Sequence, residues 1–483
     1  MNPEVIVFIL YLICMLAIGV FFFFRDRKGG EKTFFLGDRK VGAWVGALSA
    51  GASDMSAWVL MGLPTSIYAF GLGKIWIPVG LVLGYTASWL IEAPRLRRFS
   101  IVSGDSITIP QYLSNRFLAT SKALQVICAV VFLLAYTVYA ASSIKACGVL
   151  FHKVIGMDPM TAMYVAVFVI VGYTFLGGFS AVCWTDFFQG MLILAAMLLA
   201  PIFALFILDF SGETIAPSLH FWNPAADWHD VVSGLAWGLG YFGMPHIIIR
   251  FMSISSQKKL KRSAWIGIAW TILILIFAAL IGVVGRLDFG MDSDLVSNEL
   301  VFIQMVRKIF PGAMSGILLS AVLAASMSTA DSQLLSASSS LASDVYKPLV
   351  RKNMASDREL IWVGRFVVLA VAIVALVIAA NPNTGSIMNL VENAWGLFGA
   401  AFGPSILLSL FWRRFNFEGA VTGIVVGASA DILWILFLKD TGIYELLPGF
   451  IAGAVAAVGA AKLIGTPSEE VLKLYDDAVA YDD

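Results

Sequence analysis

The sequence predicts an all-α protein that crosses a membrane many times. Of its 483 residues, 59% are hydrophobic and 13% are charged, and the mean hydropathy is +0.86. Soluble globular chains are closer to half apolar and a quarter charged. Repeated apolar runs of about twenty residues are each long enough to cross a bilayer as a helix. These observations exclude an ordinary soluble enzyme.

Thirteen apolar segments are predicted to be spanning helices. The first is not a cleavable signal, because no basic residue precedes it and Arg25, Arg27 and Lys28 follow it. Two segments, 41–69 and 309–342, are longer than a straight crossing needs, so we expect them to be tilted or interrupted. The predicted spans are 4–24, 41–69, 74–93, 123–148, 158–180, 184–209, 230–253, 264–285, 309–342, 360–380, 386–411, 417–438 and 446–465.

The distribution of Lys and Arg between alternate loops predicts the orientation in the cell membrane. If the N-terminus is outside, 23 basic residues lie in cytoplasmic loops and the cytoplasmic tail, and 6 lie in the opposite loops. Such an excess marks the cytoplasmic side of a membrane protein. The count therefore predicts an external N-terminus, a cytoplasmic C-terminus and an odd number of spans.

Charge, cysteines and motifs exclude several functions. The net charge is 0, which implies no nucleic-acid partner. The sequence contains no P-loop, zinc-protease or nucleophile-elbow motif, so an ATP-driven pump or a membrane protease would lack its machinery. Four cysteines lie in apolar stretches and are predicted to be core residues without disulfide or metal spacing: Cys14, Cys128, Cys147 and Cys183.

Segment 41–69 carries polar residues at mid-span. Ser49, Ser53, Asp54 and Ser56 lie there among small residues that interrupt a helix easily. An unwound stretch at membrane depth frees backbone carbonyls, which coordinate cations. Small residues alone would favour a tight helix–helix contact. Because an intramembrane carboxylate is costly, Asp54 favours an ion or substrate site.

Segment 230–253 combines a helix break with aromatic residues. Four glycines and Pro245 fall between positions 234 and 245, a composition that does not hold a uniform helix. Trp237 and Tyr241 are four residues apart and share one helical face. This arrangement favours an apolar, compact substrate, and aromatic packing within a bundle is the alternative. His246 is predicted to be an ordinary hydrogen-bonded histidine.

Segment 309–342 places hydroxyl groups on one helical face. Hydroxyls and carbonyls are hard oxygen ligands that suit a small alkali cation, although serines also bond back to their own helix. Asp331 in the same turn favours a functional interpretation. The positions follow the spacing i, i+3, i+4, i+7 and i+11: Ala325, Ser328, Thr329, Ser332 and Ser336.

Other charged residues in apolar segments have open interpretations. Asp186, near the start of its span, is either on an ion route or a helix-end charge facing water. Lys145 is predicted to extend to the interface or to pair with an acid. Glu92 and Arg250 are predicted to mark membrane interfaces.

Four long stretches resemble the sodium:solute symporter family, and within it the sodium/proline symporters. The resemblance covers nearly all of the chain. It implies a LeuT-like fold of two inverted five-helix repeats, with a leading helix in 1–40, repeats in 41–209 and 230–411, and trailing helices with a short acidic tail in 412–483. The stretches are Leu48–Pro64, Gly234–Phe251, Ala324–Leu335 and Asn393–Pro404.

The resemblance also implies roles for individual residues. Sodium ligands fall on Ala52, Met55, Ala325, Ser328 and Thr329. Substrate contacts fall on Ser56, Tyr139, Trp237, Tyr241 and Pro245. Arg39, Asp54 and Asp186 match residues of ion coupling or of the ion route, and Asp331 with Ser332 is predicted to extend that route or to add a second cation site. A structural Asp331–Lys145 pair is the alternative.

Together these features predict a secondary active transporter, not an enzyme, that imports L-proline with sodium by alternating access. A sodium symporter for another small amino acid, a carboxylate or a sugar is the nearest alternative. A transporter-like sensor is a further one, and the short acidic tail argues against it. The oligomeric state is left open.

Overall fold

The computed structural model describes residues 3–26, 29–208, 219–225 and 227–481, and within these ranges helices are joined by short turns and loops. The predictions that fall on Arg27, Lys28, the end of span 184–209 and the last two acidic residues lie outside them. The described part contains no strand; its one isolated bridge is parallel and joins Val41 to Ile254. The all-α prediction is confirmed.

The α-helices run in chain order as α1 Pro3–Asp26, α2 Glu31–Leu36, α3 Ala43–Asp54, α4 Leu63–Phe70, α5 Trp76–Ala87, α6 Ala93–Val102, α7 Ile109–Arg116, α8 Ala123–Ile155, α9 Pro159–Ile207, α10 Leu219–Trp222, α11 Trp228–Ala236, α12 Pro245–Ser253, α13 Gln257–Phe289, α14 Ser293–Ser297, α15 Val301–Ile309, α16 Gly312–Ser339, α17 Asp357–Ala380, α18 Ile387–Phe411, α19 Phe417–Phe437, α20 Leu446–Ile464 and α21 Glu469–Ala480. Short 3₁₀ segments cover Gly37–Arg39, Leu72–Ile75, Trp237–Phe242 and Lys439–Thr441, and π segments cover Trp58–Gly62, Ser88–Glu92 and Ser340–Val350.

Every predicted span overlaps a helical segment, but the number thirteen stays a prediction. Ten described helices are long and apolar enough to cross a membrane, or eleven if the bent pair Trp228–Phe242 and Pro245–Ser253 is one span. The predicted spans 158–180 and 184–209 form the single run α9 of 49 residues. Gly178 inside it has φ 57° and ψ −159°, a backbone that favours glycine, and it interrupts the run within the predicted span 158–180, close to the end of that span.

The interrupted span 41–69 is confirmed. Helix α3 ends at Asp54, Met55 has ψ 74°, and a π segment begins at Trp58. Short polar side chains favour such a break because they compete for backbone hydrogen bonds. The second predicted break is also present: the 3₁₀ segment ends at Phe242, and α12 begins at Pro245 after a 44° bend. Pro245 suits a helix start because its missing N–H has no partner there.

Two long helices form the centre of the molecule. In the apolar stretches of Gly312–Val350 and Ile387–Phe411, 83% of residues are buried, against 22% in Pro3–Asp26 and Leu446–Ile464. Helix α16 packs against α9, α8, α1 and α3, and α18 packs against α8, α19 and α20. The span before the second break touches α5 backbone to backbone, since a Cβ on Gly84 would lie 2.5 Å from the carbonyl carbon of Gly238. The core thus surrounds both helix breaks.

The cysteine prediction holds for three of the four residues. Cys128, Cys147 and Cys183 are buried free thiols, whereas Cys14 on the peripheral helix α1 is exposed. The prediction that Cys14 is a core residue is therefore wrong. An apolar neighbourhood on a membrane-facing helix does not imply burial within the protein, because the lipid is apolar as well.

Candidate functional site

The break after α3 brings a backbone carbonyl to the hydroxyl face of α16. Ser328 Oγ donates to the Ala52 carbonyl over 2.7 Å, and Thr329 Oγ1 lies 3.5 Å from the same oxygen. Ser328 Oγ is also 3.2 Å from the Ala325 carbonyl. These oxygens come from α3 and α16, two helices that are far apart in the sequence. The arrangement is suited to a small alkali cation, which would accept the hydroxyl and carbonyl lone pairs.

Four of the five predicted sodium ligands therefore lie together. Met55, the fifth, follows directly on the end of α3, and its own N–H bonds to the Gly51 carbonyl over 2.9 Å. The contacts of the described residues do not link the Met55 carbonyl to the hydroxyl pair. Its role as a ligand stays a prediction.

Asp54 connects this oxygen cluster to the second broken span. Its side chain is fully buried, and its Oδ2 accepts a hydrogen bond of 2.5 Å from the Tyr241 hydroxyl. Its Oδ1 has no hydrogen-bond partner among the described residues. The Asp54 carbonyl lies 3.4 Å from the Tyr139 hydroxyl and 3.3 Å from Trp58 Nε1. One residue thus contacts both halves of the predicted site.

The predicted substrate residues are all buried around this break. Trp237 is 2% exposed, and Tyr139, Tyr241 and Ser56 have no exposed surface. Ser56 Oγ is 3.5 Å from the backbone N of Trp58, whose ring centroid is 6.1 Å from that of Trp237. Pro245 is buried at the far side of the second break. The structure therefore brings four of the five into contact around Asp54 and Trp58, with Pro245 at their edge.

Two further aromatic residues cover Trp237. The Tyr444 ring stacks on it with centroids 4.9 Å apart, and Trp395 stacks at 6.3 Å and donates Nε1 to the Trp237 carbonyl over 2.9 Å. We call Trp237, Trp395 and Tyr444 the aromatic lid. Its members Trp237 and Tyr444 line a cleft of about 210 Å³ on the side predicted to be extracellular. The structure thus represents a form in which this lid covers the other predicted substrate residues, Ser56, Tyr139 and Tyr241, which have no exposed surface.

A second polar cluster lies beside the predicted cation site and centres on Arg250. The Arg250 guanidinium is 3.1 Å from Asp186 Oδ2, and the two side chains are 1% and 0% exposed. Asp186 also accepts from Ser49 over 2.6 Å and from Ser53 over 3.1 Å. Arg250 was predicted to mark a membrane interface, and this prediction is wrong. Removing one partner of such a buried pair costs about 3–5 kcal/mol.

Asp331 and Ser332 belong to the same cluster. Arg250 donates to Ser332 Oγ over 2.6 Å, and Ser53 Oγ lies 3.0 Å from that oxygen. Ser332 Oγ is 3.0 Å from Asp331 Oδ1, and Tyr173 donates to Asp331 Oδ2 over 2.6 Å. Because Ser53 follows Ala52 directly, the chain connects the cation ligands to this cluster.

The alternative pairing of Asp331 with Lys145 is not formed. Lys145 Nζ instead donates to the Gly385 carbonyl near the start of α18.

Glu92, predicted to mark an interface, is fully buried, and its Oε2 accepts from Ser88 over 2.8 Å. His246 is buried as well, but both ring nitrogens lack a hydrogen-bond partner among the described residues. The prediction of an ordinary hydrogen-bonded histidine is wrong.

Arg39 lies at the opposite end of the site from the aromatic lid. It pairs with Asp105 at 2.9 Å and donates to the backbone carbonyls of Met252 over 2.6 Å and Ser106 over 2.7 Å. The adjacent Val41 N–H bonds to the Ser253 carbonyl over 3.2 Å. Arg39 therefore ties the segment before the broken span to the end of α12.

The residues missed by sequence reasoning are mainly partners from distant segments. Tyr173 and Trp395 lie in apolar runs, where an aromatic residue carries no functional signal. Arg250 did carry a functional signal in the sequence, because an arginine within the run Ile247–Met252 is costly in a membrane unless it is paired inside the protein. Only the fold shows that its partner is Asp186.

Comparisons with known proteins identify the architecture. The model of the sodium:solute symporter family matches residues 34–427. Over 97% of this chain and 99% of the other, the fold superimposes on a Na⁺-coupled sialic acid symporter with a TM-score of 0.80 at 20% identity. It also matches Mhp1, a nucleobase-cation-symport-1 family transporter, with a TM-score of 0.58 at 14% identity, covering 92% and 98% of the chains. The predicted LeuT-like fold class is confirmed.

Relatives of higher identity extend over the whole chain. It is 44% identical to the high-affinity proline transporter of Bacillus subtilis over 470 residues, which cover 96% of this chain and 98% of the relative. It is 40% identical to a sodium/proline symporter of Staphylococcus aureus over 473 residues, covering 95% and 92%. The osmoregulated proline transporter of Bacillus subtilis is 39% identical over 491 residues, covering 98% of both chains.

Proposed function

Because the chain belongs to the sodium:solute symporter family, we propose that it is a sodium-coupled importer of L-proline. The observation that carries the proposal is the double contact made at the break after α3. This break presents the Ala52 carbonyl to Ser328 and Thr329, and Asp54 beside it accepts a hydrogen bond from Tyr241. The names of the relatives that match over nearly the full chain support proline as the substrate.

In this proposal the cation and the substrate stabilise the same broken backbone. Sodium binds the carbonyls of Ala52 and Ala325 and the hydroxyls of α16, and so holds α3 against α16. Proline binds between Ser56, Tyr139 and the aromatic face of Trp237 and Tyr241, with Pro245 at its edge. Each ligand orders the segment around Asp54 that the other needs, so their binding is cooperative.

The sodium gradient supplies the free energy for accumulation. One sodium ion that crosses a potential of 100 mV contributes about 2.3 kcal/mol. A tenfold concentration gradient adds about 1.4 kcal/mol. Together these terms support an accumulation of roughly several hundred-fold without ATP.

The Arg250 cluster supports a role for Asp186, Asp331 and Ser332 in cation release. If both carboxyl groups are ionised, they carry one more negative charge than the single guanidinium balances. Ser53 joins the cluster to Ala52, since its Oγ lies 3.1 Å from Asp186 and 3.0 Å from Ser332. We infer that sodium leaves the Ala52 site along this face, or that a second sodium ion binds there.

The chain is a multi-pass membrane protein, and we propose that its N-terminus is outside the cell. The excess of basic residues in alternate loops supports this orientation. It places the aromatic lid on the external side and Arg39 on the cytoplasmic side. Import then requires the lid to open first and the contacts around Arg39 to separate afterwards.

Uptake into proteoliposomes tests the proposed function. Purified protein is reconstituted, and uptake of labelled L-proline is followed with an inward sodium gradient, with potassium in place of sodium, and with a proton gradient alone. We expect concentrative uptake with sodium only. A competition series with other amino acids, carboxylates and sugars identifies the substrate class. Uptake driven by the proton gradient without sodium would contradict the proposal, as would a sugar that competes better than proline.

A further inference from the structure

Two buried carboxyl groups lie behind the aromatic lid, outside the sites described above. Asp431 in α19 has no exposed surface, and neither of its oxygens has a hydrogen-bond partner among the described residues. Glu445, directly before α20, is 2% exposed, and its Oε1 likewise has no partner there. Asp54 and Asp186, by contrast, each accept hydrogen bonds from neighbouring side chains.

The two carboxyl groups are neighbours across a glycine of α18. A Cβ built on Gly396 would lie 2.8 Å from Asp431 Oδ1 and 3.1 Å from Glu445 Cγ. The glycine leaves the space that both side chains occupy. On the side of Asp431 that faces α20, a Cβ on Gly449 would lie 3.1 Å from Asp431 Cβ. The Asp431 side chain is therefore enclosed by α18, α19 and α20.

The surrounding charges do not balance the pair. Glu392 lies one turn before Gly396 on α18 and faces the same cleft as Glu445. Lys439 also lines the cleft, and Lys74 is already paired with Asp230 at 2.7 Å. Tyr444 donates its hydroxyl to the Glu392 carbonyl over 2.9 Å, and His229, which pairs with Asp227, lies beside Gly442 of the same loop. Adjacent carboxylates away from water do not both ionise without a compensating charge.

Of the two carboxyl groups, only Glu445 reaches the cleft, and it follows the lid residue Tyr444 directly in the sequence. Glu445 lines the cleft together with Tyr444 and Trp237, whereas Asp431 lies behind it. The Tyr444 hydroxyl donates to the Glu392 carbonyl over 2.9 Å while its ring stacks on Trp237. Opening of the lid would move Tyr444 and bring water to its sequence neighbour Glu445.

The compensating charge that the pair requires is supplied most simply by a proton, because Asp431 and Glu445 are buried and have oxygens without a hydrogen-bond partner among the described residues. Two adjacent carboxyl groups with free oxygens share one proton readily. We propose that Asp431 and Glu445 form a proton-binding site that closes with the aromatic lid. The pair holds one proton while the cleft is closed, and releases it when water enters.

The sign of the coupling rests on the proposed function. In that function the lid opens to admit proline from outside, and we infer that it closes again over the bound substrate. The open form carries the ionised pair, and the closed form carries the protonated pair. Proline binding from the external side therefore takes up a proton. The affinity for proline rises as the pH falls, by up to about tenfold per pH unit for one proton.

Calorimetry on the full-length protein measures the proton directly. Proline is titrated into purified wild-type protein at saturating sodium, in two buffers with different ionisation enthalpies, at several pH values between 5.5 and 8.5. We expect uptake of up to one proton per proline bound, and a dissociation constant that falls with the pH. Asp431→Asn and Glu445→Gln should each abolish most of the uptake and flatten the pH profile. Asp440→Asn is the matched control at an exposed position of the same loop, and should behave as wild type.

Three outcomes would overturn the inference. Wild-type protein that binds proline with sodium but takes up no proton would exclude the site. Equal proton uptake in the wild type and in both variants would place the titrating group elsewhere. A pH-independent affinity together with a lower Hill coefficient for sodium in Asp431→Asn would identify sodium as the occupant. A wild type that binds no proline in the presence of sodium would instead contradict the proposed function itself.

Discussion

At the scale of single residues, Asp54 joins the proposed cation site to the proposed substrate site. Its position at the end of α3 sets the break that presents the Ala52 carbonyl, and its carboxylate accepts the Tyr241 hydroxyl. Its Oδ1 has no hydrogen-bond partner among the described residues. A carboxylate buried in this way is costly unless a cation or a substrate ammonium group approaches it.

Asp54→Asn should therefore separate the contribution of the side chain's charge to sodium coupling from the contribution of its size. The amide keeps the size of the side chain but loses its negative charge, so we expect the sodium concentration for half-maximal uptake to rise at least tenfold. Uptake into proteoliposomes at a series of sodium concentrations measures this half-maximal concentration. The yield and fluorescence of the purified variant check that it is folded and inserted. Asp477→Asn, at an exposed position near the C-terminus, serves as the control. Wild-type sodium dependence in Asp54→Asn would remove Asp54 from the coupling.

Tyr241 allows its ring and its hydroxyl to be tested separately. Tyr241→Phe keeps the ring but deletes the hydrogen bond to Asp54, which as a bond to a charged group is worth about 1.5–3 kcal/mol. We expect proline affinity and sodium affinity both to fall, by roughly ten- to a hundredfold at most. Trp237→Ala should instead weaken proline binding more than sodium binding, because the ring contacts of Trp237 in the described part of the chain are with Trp58, Trp395 and Tyr444 and not with the cation ligands. Equal losses in both affinities for Trp237→Ala would contradict the separation of the sites.

At the scale of elements, α16 carries the hydroxyl ligands on a helix that is almost completely buried. Ser328 and Thr329 reach across to the broken span, whereas Ser326 donates within its own helix to the Val322 carbonyl over 2.8 Å. Spacing alone does not distinguish these two uses of a hydroxyl. The neighbouring element decides which hydroxyl is a ligand.

This difference provides a matched pair of variants on one helix. Ser328→Ala should lower sodium affinity about tenfold, as expected for the loss of roughly 1.4 kcal/mol of ligand interaction. Proline affinity at saturating sodium should change little. Ser326→Ala removes a buried hydroxyl two residues away and should leave sodium affinity unchanged. The hypothesis fails if the two variants shift the sodium titration equally.

At the scale of the whole molecule, the two broken spans and the Arg250 cluster form a polar path through an apolar bundle. The lid covers one end of it, and Arg39 with the Val41–Ile254 bridge closes the other. Asp331 lies on this path together with Tyr173, and Lys145 does not.

Asp331→Asn and Lys145→Met should consequently have different effects. Loss of the Asp331 charge should slow sodium release on the cytoplasmic side or lower the Hill coefficient for sodium, while proline still binds. Lys145→Met should leave the sodium dependence unchanged. Sodium efflux from preloaded proteoliposomes measures the release. An unaltered sodium dependence and efflux rate in Asp331→Asn would exclude Asp331 from the route.

The sequence predicted the fold class and both helix breaks because each rests on a local signal. Glycines, Pro245 and short polar residues weaken a helix wherever they occur, so the breaks near Asp54 and Gly243 are visible without the fold. The partners across the bundle are not, because α3, α9, α12 and α16 are distant in sequence. Arg250 illustrates the difference: its cost in a membrane is readable from the sequence, but its contacts with Asp186 and Ser332 are not.

The mutual dependence of sodium and proline binding tests whether the broken segment around Asp54 couples the two binding sites. The dissociation constant of proline is measured on purified wild-type protein with and without sodium, and the apparent sodium constant with and without proline. Because both ligands are proposed to order the segment around Asp54, sodium should tighten proline binding, and proline should tighten sodium binding by the same factor. A proline affinity that is independent of sodium would contradict the coupling of the two sites through the segment around Asp54.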